Sequence, residues 1–145
     1  METESPAPAS QSTESTIRVA VTGHRDLDAA SLEGAVRRGL ALIRERFDGH
    51  GRAMPLVVLS ALAEGADQLV ARVVLEDPRS SLEVSLPLPV GDYRGDFGVE
   101  GLRGFDELLP RAATVRTAPS FSSRDEAYAW AGRDVVDRCD VLLAI

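Results

Sequence analysis

Lysine is absent from this chain of 145 residues, and all 16 basic side chains are arginines. A phosphate-binding lysine of the Walker type, a Schiff-base lysine and a lysine general base are therefore excluded within these residues. Histidine occurs twice, at His24 and His50, and cysteine once, at Cys139. A single cysteine forms no internal disulfide, and these side chains make a poor zinc-ligand set. We therefore predict no metal, no cofactor and a cytoplasmic location.

Long apolar runs are also missing. No run in the sequence approaches the ~20 residues that cross a bilayer, so we expect no transmembrane helix in this chain. The first basic residue is Arg18 and no apolar core precedes it, which is unlike a secretory signal. The formal net charge is −7, from 16 basic and 23 acidic side chains, and it disfavours nucleic acid as a partner.

Composition divides the chain into a short tail and one domain. Residues 1–16 contain three glutamates together with proline, serine and threonine, and almost nothing that could be buried. We predict a disordered tail there. Residues 17–145 have the length of one domain with a sizeable hydrophobic core.

From residue 17 onward, apolar strand patterns alternate with helical patterns. The predicted strands are residues 17–21, 56–59, 82–86, 114–117 and 140–145. The predicted helices are residues 31–47, a helix with Leu69, Val70, Val73 and Val74 on its buried face, a short helix at 105–109, and one from the capping box Ser123–Glu126 to about Cys139. In the first helix the expected buried stripe is Leu32, Ala35, Val36, Leu40, Ile43 and Phe47. Such alternation predicts an α/β fold with a mainly parallel sheet of about five strands and helices on both faces.

The last predicted strand stands at the end of the sequence. A doubly wound sheet normally follows such a strand with a further loop and helix. We expect either that the domain is truncated and belongs to a larger protein with a fused effector domain, or that a partner, such as a second copy in a homodimer, covers this edge. The first alternative is the one that we favour.

Two strand-to-helix turns have the composition of an anion site. They are residues 22–26 (TGHRD) and residues 60–67 (SALAEGAD). In open parallel sheets, ligands bind beyond the carboxyl ends of the strands. Small residues there let an anion approach the helix N-terminal amides, although they also simply permit tight turns. Neither turn has the G-x-G-x-x-G pattern, so the sequence does not support NAD binding.

The same residues resemble the SLOG superfamily, which includes the DNA-processing protein A group and the LOG phosphoribohydrolases. The resemblance is carried by VTGHR at 21–25 and LSALAEGAD at 59–67, and then by LPLP at 86–89, YRGDF at 93–97 and DVLLAI at 140–145. In order, these motifs are similar to a bacterial SLOG-type subgroup that often forms an N-terminal module. The resemblance implies a Rossmann-like three-layer sandwich that binds nucleotides or nucleotide-derived ligands, often as a sensor.

The resemblance also implies which residues contact the ligand. They are Gly23, His24 and Arg25 in the first turn and Ser60, Ala61, Glu64, Gly65 and Ala66 in the second. Their positions in the sequence add Thr22 in the first turn, Asp67 in the second, and Arg94, which we expect on a loop over the phosphate. For several of these residues a purely structural role stays open as an alternative to ligand binding. Arg25 could form a surface ion pair with Asp26 or Asp28, Glu64 could serve a helix dipole rather than a ribose hydroxyl, and Asp67 could cap its helix and fix the loop.

Three functions follow as hypotheses. The first is binding of a nucleotide or nucleotide-derived small molecule by a sensor module of a larger signalling or stress-response protein, with no catalytic residue of its own. The second is a LOG-like nucleoside-monophosphate phosphoribohydrolase, but the P-G-G-x-G-T-x-x-E loop that carries the family's catalytic glutamate would have to follow residue 145. The third is single-stranded DNA binding, which the acidic charge disfavours.

Overall fold

A computed structural model describes residues 15–25, 28–47 and 54–145. It contains a single five-stranded sheet in which all neighbouring strands are parallel. The strands are β1 (Ile17–Thr22), β2 (Leu56–Ser60), β3 (Ser81–Leu86), β4 (Thr114–Thr117) and β5 (Val141–Ala144). The helices are α1 (Ala29–Phe47), α2 (Ala66–Val74), α3 (Val90–Arg94), α4 (Val99–Leu108), which runs into a 3-10 turn (Leu109–Arg111), and α5 (Arg124–Asp137). The predicted α/β fold with a parallel five-stranded sheet is confirmed.

The order of strands across the sheet is β4-β3-β2-β1-β5. The chain moves outward from β1 to β4 and then returns to place β5 on the other side of β1, where Val19 is in register with Val141. With right-handed crossovers, this reversal puts α1, α2 and α4 on one face of the sheet and α5 on the other. The contacts agree, because α2 packs on α1 and α4, whereas α5 packs on β1 and β3.

Because side chains alternate between the two faces of the sheet, β1 contributes residues to two hydrophobic clusters. Ile17, Val19 and Val21 point into the larger cluster, which lies beneath α1, α2 and α4. Ala20 belongs to the smaller cluster, together with Val135 of α5. Burying one such aliphatic side chain is worth about 1.5–3 kcal/mol, so the larger cluster supplies most of the apolar stabilisation.

The first helix confirms most of its predicted stripe and departs from it at two positions. Val36, Leu40 and Ile43 are buried as expected. Ala35 is exposed, and Phe47 is 43% exposed although it continues the same spacing at the last residue of α1. Periodicity identifies the face of a helix, but it does not say how far the surface beneath that helix extends.

The predicted short helix at residues 105–109 is wrong in its extent. The segment after β3 forms α3 and then α4, which begins six residues earlier than expected, at Val99. Its start is stabilised by Glu64, whose carboxylate accepts a hydrogen bond from the amide of Gly98. That partner lies 34 residues away, where local periodicity carries no signal.

Two predictions fall wholly or mostly outside the described residues. These are the disordered tail at residues 1–16 and the helix break at residues 49–51. At the other end, α5 stops at Asp137 rather than at Cys139, and Cys139 is partly buried against the smaller cluster. Within the described ranges, no helix combines the length and the apolar character that a membrane span needs.

Candidate functional site

The two turns expected to bind the ligand pack directly against each other. The amide of Ala66 donates to the carbonyl oxygen of His24 at 3.4 Å. Gly65 has a φ of 84°, and a Cβ atom there would lie 2.6 Å from the carbonyl oxygens of both His24 and Arg25. A Cβ atom on Gly23 would lie 2.5 Å from that of Ala66. The glycines are therefore required by the contact between the two turns, a structural role different from the tight bends considered from the sequence.

Several backbone amides of the second turn donate hydrogen bonds to acceptors within the protein. Its Leu62 amide donates to the hydroxyl of the fully buried Ser60 at 3.0 Å, and its Ala63 amide donates to the Asp67 carboxylate at 3.2 Å. With the Ala66 amide bonded to His24, these three donors are satisfied within the protein. The expectation that this turn presents bare amides to an anion is not met at these positions.

A cleft of about 170 Å³ opens beside the first turn, at the carboxyl end of β1. Strand order reverses between β1 and β5, so the cleft occupies the place where doubly wound sheets bind their ligands. Of the predicted site residues, it is lined by Thr22, Gly23, Arg25, Ala61 and Asp67.

The other predicted residues lie outside the lining of this cleft. They are His24, Ser60, Glu64, Gly65, Ala66 and Arg94. The Glu64 carboxylate accepts a hydrogen bond from the Gly98 amide at the start of α4. It therefore interacts favourably with the dipole of α4, and not with that of α2, the helix that follows Glu64 in the sequence. The Arg94 guanidinium forms an ion pair with Asp106 of α4. Arg94 is thus paired with α4 and does not line the cleft over which the sequence analysis expected it.

Arg25 supplies the cationic group of the cleft. Its guanidinium carbon lies 5.8 Å from the centre of the Tyr128 ring. Burial lowers the pKa of Arg25, but the hydrogen bond and the electrostatic attraction of Tyr128 outweigh this effect and raise it above its usual value. Arg25 therefore stays charged and is held by an aromatic side chain of α5. Of the two acidic partners considered from the sequence, Asp26 lies outside the described residues and Asp28 accepts from the Ala30 amide at the start of α1.

Asp67 places a carboxylate in the wall of the same cleft. It lies in the first turn of α2, and its side chain reaches back to the Ala63 amide. It therefore fixes the loop, as one of the two sequence hypotheses held. Burial raises its pKa to about 6, against the opposing effects of the Ala63 amide and Arg25. A carboxyl group with such a shifted pKa in a cleft is a mark of a functional site.

Two tyrosines complete the cleft and were not among the predicted site residues. The buried Tyr93 of α3 donates its hydroxyl hydrogen to the carbonyl oxygen of Ala61 at 3.0 Å. Tyr128 of α5 donates to the carboxylate of Asp96, which also accepts from Arg124. The two rings meet edge to face, with centres 5.9 Å apart.

A sequence signal for the α5 wall does exist. The lining residues of this helix are Tyr128, Ala131, Gly132 and Val135, at the i, i+3, i+4, i+7 spacing of one helical face. The small side chains of Ala131 and Gly132 leave the space that forms the cleft, and a Cβ atom on Gly132 would meet nothing within 4 Å.

No protein-family model matches the chain, and no curated protein matches it. Among the residues that the structure describes, no group of three His, Cys, Asp or Glu side chains is placed to hold a metal ion. The geometry of the cleft is accordingly the basis for the function proposed next.

Proposed function

We propose that the protein binds a nucleotide or nucleotide-derived ligand, with an anionic group of that ligand held in the cleft at the end of β1. The observation that carries the proposal is the position of Arg25 and Tyr128 in a cleft where strand order reverses. A planar guanidinium binds phosphate through two parallel hydrogen bonds. Besides the N–H group that hydrogen-bonds Tyr128, the Arg25 guanidinium has further N–H donors for such bonds.

The size of the cleft sets which part of the ligand enters it. Its volume of about 170 Å³ is smaller than the ~300–1,000 Å³ typical of pockets that enclose a whole small molecule. A phosphate and the group attached to it fit this space, and the rest of a nucleotide would lie across the rim. Thr22 is a polar residue that would accompany Arg25 at the anion, and Asp67, Tyr93 and Tyr128 also line this space.

The biological role rests on the motif resemblance to the SLOG superfamily. We propose that this module acts in the cytoplasm as a sensor domain of a larger signalling or stress-response protein and has no catalysis of its own. The acidic net charge of −7 and the single permanent cation contributed by Arg25 favour a small ligand over a nucleic acid.

Thermal unfolding of the full chain with a panel of ligands tests the proposal. The panel contains AMP, GMP, cyclic dinucleotides, adenosine and inorganic phosphate. A ligand at about ten times its Kd stabilises the folded state by about 1.4 kcal/mol, which corresponds to a rise in Tm of roughly 3–6 °C for a domain of this size. We expect a phosphorylated nucleotide to raise Tm and adenosine to have little effect.

A matched pair of variants locates the binding. Gly132→Leu places a side chain in the open space of the cleft, whereas Gly91→Leu makes the same change in open space on α3, outside the cleft lining. We expect Gly132→Leu to abolish the ligand-induced shift and Gly91→Leu to retain it. If no nucleotide moves Tm, or if both variants respond like the parent protein, the proposal is wrong. Release of free base from AMP would indicate the phosphoribohydrolase instead.

A further inference from the structure

The cleft joins two groups that respond oppositely to an anionic ligand. Arg25 and Asp67 both line it, and they interact electrostatically. An anion beside Arg25 is attracted by the guanidinium, and it is repelled by the Asp67 carboxylate whenever that group is ionised. A proton on Asp67 removes this repulsion and turns the carboxyl group into a hydrogen-bond donor.

We propose that Asp67 makes anion binding in the cleft conditional on its own protonation, so that the cleft binds an anionic ligand more tightly as the pH falls. The inference deepens the proposed function and rests on it. It assigns to Asp67 the control of affinity by pH, whereas Arg25 supplies the attraction.

Burial favours the neutral form of Asp67, whereas Arg25 and the amides of Ala63 and Ala61 favour its ionised form. From the first turn it faces Arg25, and from α3 it faces the hydroxyl of Tyr93, whose ionisation it opposes. Its carboxylate accepts a hydrogen bond from the Ala63 amide, in the loop before α2, at 3.2 Å. Tyr128 of α5 lines the same cleft, and Glu64 acts more remotely, through its charge on Arg25. Among these described neighbours, Arg25 is the one positive charge.

Binding changes this balance in one direction. In the free protein, burial holds the pKa of Asp67 at about 6 although Arg25 lowers it. An anion bound to Arg25 compensates the positive charge and adds a negative one, and both effects raise the pKa of Asp67 further. Binding at neutral pH therefore takes up a proton.

The expected pH profile follows from linkage. Below the free-state pKa of about 6, Asp67 is already neutral and the affinity does not depend on pH. Above this pKa, ligand binding is coupled to the uptake of a proton by Asp67. The affinity then falls by up to about tenfold per pH unit until the pKa of the bound state is reached.

Sulfate is the probe that isolates the protein's own titration, because it keeps its double negative charge at neutral and mildly acidic pH. We would measure its Kd by isothermal titration calorimetry on the full chain between about pH 5.5 and pH 7.5, the range that spans the transition. We expect Kd to rise several-fold to tenfold across this range in the parent protein. In Asp67→Asn, which keeps an oxygen for the Ala63 amide, Kd should vary by less than about twofold and stay low at the higher pH.

Two further measurements keep the test sharp. Histidine side chains titrate in the same pH range, so His24→Gln is the control, and it should retain the full pH dependence. Proton uptake by the parent protein, obtained from binding enthalpies in two buffers of different ionisation enthalpy, needs no variant that must fold.

The outcomes separate this inference from the proposed function. Sulfate binding that is independent of pH, or an Asp67→Asn variant with the parent's pH dependence, contradicts the role of Asp67 and leaves the ligand-binding proposal standing. AMP binding without any sulfate binding contradicts the inference alone, since the anion then contributes too little. Failure of both AMP and sulfate to bind at every pH contradicts the proposed function and this inference together.

Discussion

Gly65 is the residue on which the contact between the two turns depends. Its φ of 84° is a backbone conformation that side-chain-bearing residues rarely adopt, and two carbonyl oxygens occupy the space of a Cβ atom. We predict that Gly65→Ala lowers the free energy of unfolding by at least about 2–3 kcal/mol, from backbone strain and the clash together. Urea denaturation followed by circular dichroism measures this change.

The matched control is Gly132→Ala in α5. Nothing lies within 4 Å of the added atom, and the position is inside a helix, so we expect stabilisation by about 0.5–1 kcal/mol. Equal effects of the two substitutions would mean that the turns do not pack as described.

Asp67 should leave a signature in the pH dependence of stability. Its pKa is about 6 in the folded protein against an ordinary value of 3.8, so the folded state holds its proton more tightly than the unfolded chain. The stabilisation is complete below about pH 3.8 and is lost as the pH rises through 6, by up to about 3 kcal/mol. We predict that Asp67→Asn gains stability relative to the parent protein as the pH rises from about 4 to 7.

Comparison between the two proteins at each pH is needed because other carboxylates act in the opposite direction. The pKa of Asp96 is lowered by its hydrogen bonds from Arg124 and Tyr128, and the pKa of Glu76 by the Arg37 guanidinium. A stability difference between parent and Asp67→Asn that stays constant over this pH range would show that Asp67 titrates normally.

At the level of elements, α5 forms a wall of the cleft, and its first turn is fixed by a side-chain cap. The predicted capping box is half confirmed: the Ser123 hydroxyl accepts from the Glu126 amide at 3.2 Å. The Glu126 carboxylate, however, accepts from the Ser122 hydroxyl at 3.1 Å. The motif therefore predicted the helix start correctly, whereas the reciprocal contact depends on a neighbour that the pattern does not include.

Substitution of the capping serine should destabilise the protein modestly. We predict that Ser123→Ala costs about 1 kcal/mol, because the Glu126 amide loses its acceptor at the first turn of α5. Ser122→Ala is the control and should change stability by less than about 0.5 kcal/mol, since Ser122 is exposed. Chemical denaturation of both variants measures the difference, and a larger loss for Ser122→Ala would refute this assignment of the cap.

Elements differ in how much of them the sequence reveals. The strand β2 was predicted from an unbroken apolar run, and β1 and β3 from short runs that alternate apolar with polar residues, each of them followed by turn residues. The segment between β3 and β4 was not, since the two glycines Gly101 and Gly104 mask a helix. A Cβ atom at Gly104 would lie 2.1 Å from the Gln68 side chain of α2, and one at Gly101 would lie 2.2 Å from the Glu64 side chain, so these glycines permit the close packing of α4 on α2 and on Glu64.

For the molecule as a whole, the sequence predicted the class of fold and the end of the sheet at which the candidate cleft lies, but not all the residues that line this cleft. Arg25 was found because it follows a strand and a glycine. Tyr93 and Tyr128 were missed because their place in the cleft depends on how α3 and α5 pack across the sheet end. In the second turn, the amides of Leu62, Ala63 and Ala66 have acceptors within the protein, which the composition of the turn did not reveal.

A polar network between the sheet and α5 also emerges only at this scale. Asp134 of α5 accepts from the buried Ser85 at 2.6 Å, and it pairs with Arg116 at 2.9 Å and with Arg138 at 3.2 Å. We predict that Asp134→Ala lowers the free energy of unfolding by about 2 kcal/mol, because it leaves the buried Ser85 hydroxyl and the Arg116 guanidinium without their acceptor and removes one of the acceptors of Arg138. Asp137→Ala on the exposed side of α5 should have little effect, and urea denaturation of both variants decides whether the network holds α5 to the sheet.

The central claim is that an anionic, nucleotide-like ligand occupies the cleft at the end of β1. Titration of the isotopically labelled full chain with AMP, followed through its backbone amide resonances, tests this most directly. We predict saturable shifts concentrated at the cleft residues Thr22, Gly23, Arg25, Asp67, Tyr128, Ala131 and Gly132. A spectrum unchanged at millimolar AMP, or shifts centred on another part of the surface, would contradict the claim.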